Sequence, residues 1–242
     1  MGVTVLITPW YRRLTNDIGA GKENRGSTST TAILDHQSSA ITELVSRAQH
    51  IAQSVDAVDV LAAAHAIIRD EVRAVYALEE KTPSSKTLTR GFGSCSQRLA
   101  VLESAARAIG VPTRVRALSI DRSFWYARFP HLKVALPDRI LLAWPEFLID
   151  QWRPSSELFG SLGCHGGGAF TNSGRETLFE AVGRCAVDWD GRASDGVYDL
   201  SQFVRADYGY FTHRDDAFSQ LGQTLCGPSR SIADPLLRRI AA

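Results

Sequence analysis

The segment 91–118 constrains the fold of this chain more than any other stretch of the sequence. A glycine-rich turn leads to Cys95, which is followed by apolar residues at helical spacing: Leu99, Leu102, Ala106 and Ile109. Gly110 can act as the C-cap of this helix, and Pro112 prevents its continuation. The alternation of residues 113–118 then predicts a half-buried strand. The sequence therefore predicts a cysteine in the first turn of a helix that leads directly into a strand.

Cys95 is a candidate nucleophile because of this position. The first turn of a helix has unpaired backbone N–H groups and the positive end of the helix dipole, which favours a thiolate and offers a donor to an oxyanion. A free cysteine at a helix start is also commonly a small buried hydrophobe. The flanking Gly91 and Gly93 favour the functional interpretation.

Composition describes an ordinary globular chain with material for one large domain, since 44% of its 242 residues are apolar and 22% are charged. Its 27 basic and 26 acidic residues give a formal net charge of +1, which favours neither nucleic acid nor an anionic membrane surface as a partner. No apolar run reaches the roughly 18 residues of a membrane-spanning helix. We therefore expect no nucleic-acid partner, no membrane partner and a cytoplasmic location.

The four cysteines are widely spaced and contain no CxxC pair, so we expect reduced thiols and no metal site. No nucleotide-binding fingerprint is present, and we expect no cofactor. We divide the chain into an N-terminal arm and polar loop (1–35) and a single domain (36–242). Within the domain the spacing predicts helices over 41–52 and 57–75, strands over 139–149, with an interruption at Pro145, and from 151, and helical pieces over 174–186, 200–210 and 216–225.

Two linked motifs surround the cysteine. The chain reads Gly93-x-Cys95 and, along the helix and the turn after it, Ala105-x-Arg107-Ala108-x-Gly110-Val111-Pro112-x-Arg114. Over about residues 87–156 this pattern resembles the transglutaminase-like superfamily. The resemblance implies an α+β fold in which a cysteine-bearing helix packs on an antiparallel sheet in a papain-related core, here with additional N- and C-terminal helices. It also implies a cysteine that attacks an acyl carbon, a histidine that transfers the proton and an aspartate that orients the histidine.

One placement of the histidine and aspartate uses the second motif of the superfamily, His-Ala-Trp-x-Glu. The segment that resembles it is Leu142-Ala143-Trp144-Pro145-Glu146, with Trp152 downstream. This alignment puts Leu142 at the histidine position and Ser155 or Ser156 near the aspartate position. Because leucine carries no proton, a site with this alignment is inactive or uses other groups.

The other placement takes His131 and Asp150, which preserve the order Cys, His, Asp. His131 opens the segment 132–136, which we interpret as a strand, and Asp150 follows a later strand. His165, next to Cys164 in a glycine-rich loop, is a further candidate for the base. A histidine beside Pro130 can equally be a surface residue.

We expect cysteine-dependent acyl transfer, or hydrolysis or formation of an amide bond, through a thioester on Cys95. His131 would carry the proton and Asp150 would orient its imidazole. The acyl substrate would be a small molecule, a peptide or a carrier-bound group. Two alternatives keep the fold: a noncatalytic binding module, and an enzyme repurposed for small-metabolite biosynthesis by cyclisation or amide formation.

Overall fold

The structure is a computed structural model that describes residues 25–131, 133, 136–158, 170–172, 176–186, 198–224, 231, 234, 235 and 238. The helices of the described residues are α1 (Ser39–Ala52), α2 (Ala57–Glu71), α3 (Ser84–Thr89), α4 (Cys95–Ala108), α5 (Ser155–Leu158) and α6 (Arg214–Gln220). The strands are β1 (Arg73–Ala74), β2 (Phe92–Gly93), β3 (Thr113–Asp121), β4 (Arg139–Leu148), β5 (Trp152–Pro154), β6 (Cys185–Ala186), β7 (Tyr198–Asp199) and β8 (Val204–Phe211). This architecture confirms the predicted α+β class.

The largest sheet has four antiparallel strands in the order β5-β4-β3-β8. Its two central strands pair along the whole of β3, from Thr113 opposite Phe147 to Asp121 opposite Arg139. Two small parallel pairs, β1 with β2 and β6 with β7, lie outside this sheet. The pair β1–β2 directly precedes α4, so it determines where that helix begins.

Alternate residues of the central strands belong to two buried clusters, as expected when a sheet is covered on both faces. Leu118 and Ile120 join the larger cluster with the apolar faces of α1, α2 and α4. Val115 and Ala117 join a smaller cluster with α6 and with Ala100 of α4. Helix α4 therefore contributes to both clusters.

The predicted helices over 41–52 and 57–75 correspond to α1 and α2. The side chain of Asp56 accepts hydrogen bonds from the N–H groups of Val58 and Asp59 and so caps the start of α2. Helix α2 ends at Glu71, earlier than the apolar pattern indicates. The reason is tertiary, because Arg73 leaves the helix to pair with β2.

Strand β4 runs through Pro145 without the interruption that the sequence predicts. Pro145 lies opposite Val115 of β3, and pairing between β4 and β5 begins only one residue later, at Glu146. The position of Pro145 therefore needs no N–H for the outer neighbour, which is where a strand tolerates proline. The strand predicted from residue 151 is confirmed as β5.

Two predicted helical segments are wrong. Residues 200–210 form a short 3₁₀ turn, Ser201–Phe203, and then the strand β8. Residues 176–186, the described part of the segment 174–186, form turns, a 3₁₀ turn at Val182–Arg184 and β6. In β8 the pairing with β3 overrides local preference, and most of its side chains are only half-buried, so the apolar alternation of a strand is missing. Helix α6 confirms part of the helical piece predicted over 216–225, but it begins at Arg214 and ends at Gln220.

The described end of the predicted N-terminal arm packs against the domain. Ile33 and Leu34 are buried in the smaller cluster, and Ser27 forms an isolated bridge with Thr113. The residue before that bridge, Gly26, has a φ of +63°, and a Cβ there would lie 2.3 Å from the Trp152 ring. Only glycine suits this close approach.

Within the described residues, no single helix is long and apolar enough to cross a membrane. The helices α1 and α2 reach the length and apolar composition of a membrane span only when they are taken together. They are bent by 113° relative to each other.

A buried ion pair connects α6, α4 and β4. The guanidinium of Arg214, at the start of α6, donates to the carboxylate of Glu103 in α4, and both side chains are at most 1% exposed. The same guanidinium donates to Ser96 Oγ at 3.0 Å and to the carbonyl of Ala143 in β4 at 3.1 Å. One side chain therefore joins two separate turns of α4 to the sheet.

We predict that Arg214→Met lowers the free energy of unfolding by about 3–5 kcal/mol, because it leaves the Glu103 carboxylate buried without its cation. The double variant Arg214→Met/Glu103→Leu removes both charges and is expected to recover a large part of this loss. Urea denaturation followed by tryptophan fluorescence measures both values. A single variant as stable as the wild type would contradict the prediction.

Candidate functional site

Cys95 is the first residue of α4 and is partly buried. The preceding residue, Ser94, caps the helix by accepting a hydrogen bond from the N–H of Gln97 at 3.2 Å. The Gln97 side chain accepts in return from the N–H of Ser94 at 3.0 Å, which completes a capping box. Among the described residues, no acceptor takes the N–H of Cys95 or of Ser96. Two backbone donors are therefore available at the end of the helix that carries the sulfur.

The parallel pair β1–β2 brings Tyr76 to Cys95. Ala74 pairs with Gly93, and the N–H of Val75 extends this ladder by donating to the carbonyl of Gly93 at 3.0 Å. Tyr76 lies two residues after Ala74, and Cys95 lies two residues after Gly93. The thiol accordingly acts electrostatically on the Tyr76 phenol.

The Tyr76 side chain is held by the segment that follows β3. Its ring packs against Phe129, with centroids 4.6 Å apart, and its hydroxyl accepts a hydrogen bond from Arg128. Arg128 also donates to the side chain of Asn172 at 3.2 Å and to the carbonyl of Glu176. Burial raises the pKa of the Tyr76 phenol, and the guanidinium opposes this in part. Tyr76 therefore remains a neutral hydroxyl beside Cys95 at neutral pH.

The carboxyl group of Glu80 lies next to the first turn of α4. The hydroxyl of Ser96 donates to Glu80, while the same oxygen accepts from Arg214. Glu80 Oε2 is buried and has no hydrogen-bond partner. Burial raises the pKa of the Glu80 carboxyl to about 7, against the opposing effects of Ser96 and Arg214. The residue after Cys95 is therefore tied to an acid that titrates near neutral pH.

His131 is an exposed residue in a turn. It follows Phe129 by two residues, and the Phe129 ring packs on Tyr76. The structure thus brings the chain segment of His131 to the Cys95 end of α4. Lys133 also lies in a turn, and residues 132, 134 and 135 of the predicted strand lie outside the described residues.

Asp150 lies at the opposite end of α4. It is two residues beyond Leu148, whose N–H donates to the carbonyl of Pro112, just after the helix. At a rise of 1.5 Å per residue, α4 is about 20 Å long, so Asp150 and Cys95 are not brought together. The Asp150 carboxylate is exposed and accepts two hydrogen bonds from Arg153, which lowers the pKa of this carboxyl to about 2.

The alignment that puts Leu142 at the histidine position falls on residues that are packed into the fold. Leu142 is buried opposite Leu118, and it belongs to the large cluster against which Cys95 packs. Ser155 is fully buried and donates its hydroxyl to the carbonyl of Pro145, and Ser156 follows it in α5. An apolar side chain and two hydroxyls therefore occupy the positions that this alignment assigns to the base and its orienting acid.

Three further residues of the two aligned regions, Arg114, Glu146 and Trp152, lie together in the structure. Arg114 and Glu146 form a buried ion pair at 2.7 Å across β3 and β4. The guanidinium lies between the rings of Trp152 and Tyr210, at 4.2 and 3.9 Å from their centroids. These contacts explain why an arginine, a glutamate and a tryptophan occur together at these spacings.

The other cysteine and histidine candidates separate into two groups. Cys164 and His165 lie outside the described residues. His65 is buried in α2, contacts the carbonyl of Phe179 at 2.9 Å and stacks on its ring. Burial lowers the pKa of His65 to about 4, so this imidazole is neutral and structural.

Sequence reasoning missed Tyr76 and Arg98 as neighbours of the thiol, and Arg128 as a neighbour of Tyr76. Tyr76 and Arg128 reach the site through tertiary contacts, and no local spacing indicates them. Arg98 carries a usable signal, because a charged residue three positions after Cys95 interrupts a buried helix face.

Comparisons of the chain with protein-family models, with curated proteins and with solved structures find no match. In the part of the chain that the structure describes, no three side chains of His, Cys, Asp and Glu come together as a possible metal site. The functional interpretation therefore depends on the geometry around Cys95.

We predict that Glu80→Gln stabilises the protein above neutral pH. Since the folded-state pKa of Glu80, about 7, lies above its ordinary 4.5, the folded protein binds this proton more tightly than the unfolded chain. Wild-type stability from this group is thus fully present below 4.5 and is lost as the pH rises through about 7. The variant should match the wild type near pH 4 and exceed it near pH 8 in urea denaturation.

The exposed residue Glu157 provides the matched control, Glu157→Gln. It removes an exposed carboxylate and not a buried one, so it should not reproduce the gain in unfolding free energy above neutral pH. An equal pH dependence in both variants would contradict the assignment to Glu80.

Proposed function

We propose that the protein is a transglutaminase-like enzyme that transfers or hydrolyses acyl groups through a thioester on Cys95. The observation that carries this proposal is the position of Cys95 at the start of a capped helix, with two free backbone donors at the same end. The spacing from Cys95 through Gly110 and Pro112 to Arg114 supports the family assignment. The sandwich of Arg114 between two aromatic rings, with Glu146 as its ion-pair partner, supports it further.

In this mechanism the Cys95 thiolate attacks the acyl carbon. A sulfur–carbon bond forms, and the electron pair of the carbonyl moves onto its oxygen, where the N–H groups of Cys95 and Ser96 stabilise it. Collapse of the intermediate breaks the bond to the leaving group, which takes up a proton. Water or an amine then attacks the thioester and releases the sulfur.

His131 is the proposed proton carrier because its segment lies at the Cys95 end of α4 and its side chain is exposed. A small movement of an exposed turn can bring such a side chain to the sulfur when substrate binds. Asp150 has no part in this scheme, since its carboxylate is engaged by Arg153 at the other end of the helix.

A noncatalytic binding module is the second candidate, and one observation favours it. The position that the resemblance assigns to the histidine is filled by Leu142, which is 8% exposed and packed in the core. In this candidate Cys95 is a small side chain within a binding surface, and it reacts no faster than an ordinary thiol.

We predict that an activated acyl ester such as p-nitrophenyl acetate forms a covalent adduct on Cys95. Peptide mass spectrometry should locate the acyl group on the peptide that contains Cys95, and Cys95→Ser should lower the acylation rate by at least about a hundredfold. His131→Ala should lower turnover but leave the cysteine in place for slow acylation. Cys185→Ser is the matched control, because Cys185 is buried and lies in β6. Unchanged acylation in Cys95→Ser would refute the proposal.

A gain-of-function experiment tests the alignment that puts Leu142 at the histidine position. In the alignment with the second motif, Leu142→His returns an imidazole to the family position, so the alkylation rate of Cys95 at pH 7 should rise by roughly tenfold. Leu141→His is the control, because Leu141 faces the other buried cluster. Equal rates in the two folded variants would contradict the alignment.

A further inference from the structure

Arg98 is the buried cation nearest in sequence to Cys95. It stands three positions later in α4, and its side chain is 0% exposed. Side chains of a helix tilt towards the N-terminus and lie over the turn before their own Cα, and residues at i and i+3 are neighbours. The Arg98 side chain is therefore directed towards the first turn of α4, where the sulfur lies.

Contacts on one side hold the guanidinium in place. One terminal nitrogen donates to the hydroxyl of Thr177 at 3.2 Å, and the other donates to the carbonyl of Arg69 at 3.3 Å. Its plane lies over the Phe179 ring, 4.3 Å from the centroid. These contacts use both terminal nitrogens and a face of the group.

The third nitrogen of the guanidinium, Nε, makes no such contact. Arg98 Nε is buried and has no hydrogen-bond partner among the described residues. A buried donor that belongs to a charged group is costly to leave unpaired, so its presence indicates an acceptor that forms when a neighbouring group ionises. The nitrogen lies on the part of the side chain closest to the helix backbone.

The charged neighbours identify that acceptor. Apart from burial, which lowers the pKa of Arg98, the largest electrostatic effect on this guanidinium comes from Cys95, ahead of Glu180. Arg69 and Asp70 of α2 act more weakly. The Glu180 carboxylate lies 3.8 Å from a terminal nitrogen and also accepts hydrogen bonds from Thr177. Glu180 therefore faces the side of the guanidinium that is already occupied.

We propose that Arg98 is the cationic partner of the Cys95 thiolate and that its Nε–H turns to donate to Sγ when the thiol loses its proton. The inference rests on the proposed function of Cys95 and adds the group that holds the sulfur ionised before a substrate binds. The thiol proton passes to solvent, and no group is oxidised or reduced. When the sulfur attacks an acyl carbon its negative charge moves to the carbonyl oxygen, so the ion pair is present in the resting enzyme and is given up in the reaction.

The test is the alkylation rate of Cys95 by iodoacetamide in the full chain, resolved by peptide mass spectrometry at pH 7 and at pH 10. Arg98→Met should lower the rate at pH 7 by roughly tenfold and leave it unchanged at pH 10, where the thiol is ionised without help. Arg98→Lys restores a positive charge and should recover part of the rate. Arg107→Met is the control, because Arg107 is equally buried at the far end of the same helix.

Equal rates for Arg98→Met and wild type at pH 7 would overturn the inference. A loss of rate in His131→Ala but not in Arg98→Met would identify the imidazole as the partner instead. The proposed function is tested separately by acylation of Cys95→Ser, so it can fail while the effect of Arg98 on alkylation persists, and the reverse also holds.

Wild-type protein provides a second measurement that does not depend on the folding of Arg98→Met. We expect the ratio of the iodoacetate rate to the iodoacetamide rate at Cys95 to be at least about threefold higher in the folded protein than in concentrated urea, because a nearby cation attracts the anionic reagent. An equal or lower ratio in the folded protein would overturn the inference.

Discussion

The guanidinium of Arg214 determines how α4 lies on the sheet. It is buried, so each of its hydrogen bonds forms without competition from water, and removal of any partner leaves a charge in the core. Its contacts reach Ser96 in the first turn of α4 and Glu103 two turns later. The direction of the helix and the depth of its first turn are therefore set by one side chain from α6. The site around Cys95 depends on this interaction although Arg214 does not touch the sulfur.

Three polar environments meet at the first turn of α4. The capping box fixes the backbone, Tyr76 provides a neutral hydroxyl beside the thiol with the Arg128 guanidinium next to that hydroxyl, and Glu80 lies next to Ser96. Rigid support of this kind is what a reactive side chain needs, because displacements of a fraction of an ångström change its reactivity. A binding surface needs the same rigid support, so this support does not distinguish the two candidate functions. The choice between them therefore depends on Leu142.

The sequence predicts those parts of the fold whose signals are local. The glycine-rich turn before Cys95, the glycine and proline after α4 and the alternation of β3 are such signals. Each element is found, although β3 extends to Asp121 and is buried on both faces instead of half-buried. Strand β8 was missed because its pairing partner, β3, is distant in sequence and its burial pattern is irregular. The same difference applies to the site. Cys95 stands out in the sequence, whereas Tyr76 approaches it through strand pairing, and Asp150 is placed away from it by the length of α4.

The order of the sheet has a consequence for folding. Strand β8 pairs with β3 at Ser119 and Ala206, roughly ninety residues apart, so the chain must close a long loop before this edge forms. Arg214 follows β8 directly and can reach α4 only after that closure. The buried charge at Glu103 on the helix that carries Cys95 therefore has no cation until the last strand of the sheet is in place. A nascent chain whose residue 214 has not yet emerged from the ribosome would hold this helix without its ion pair.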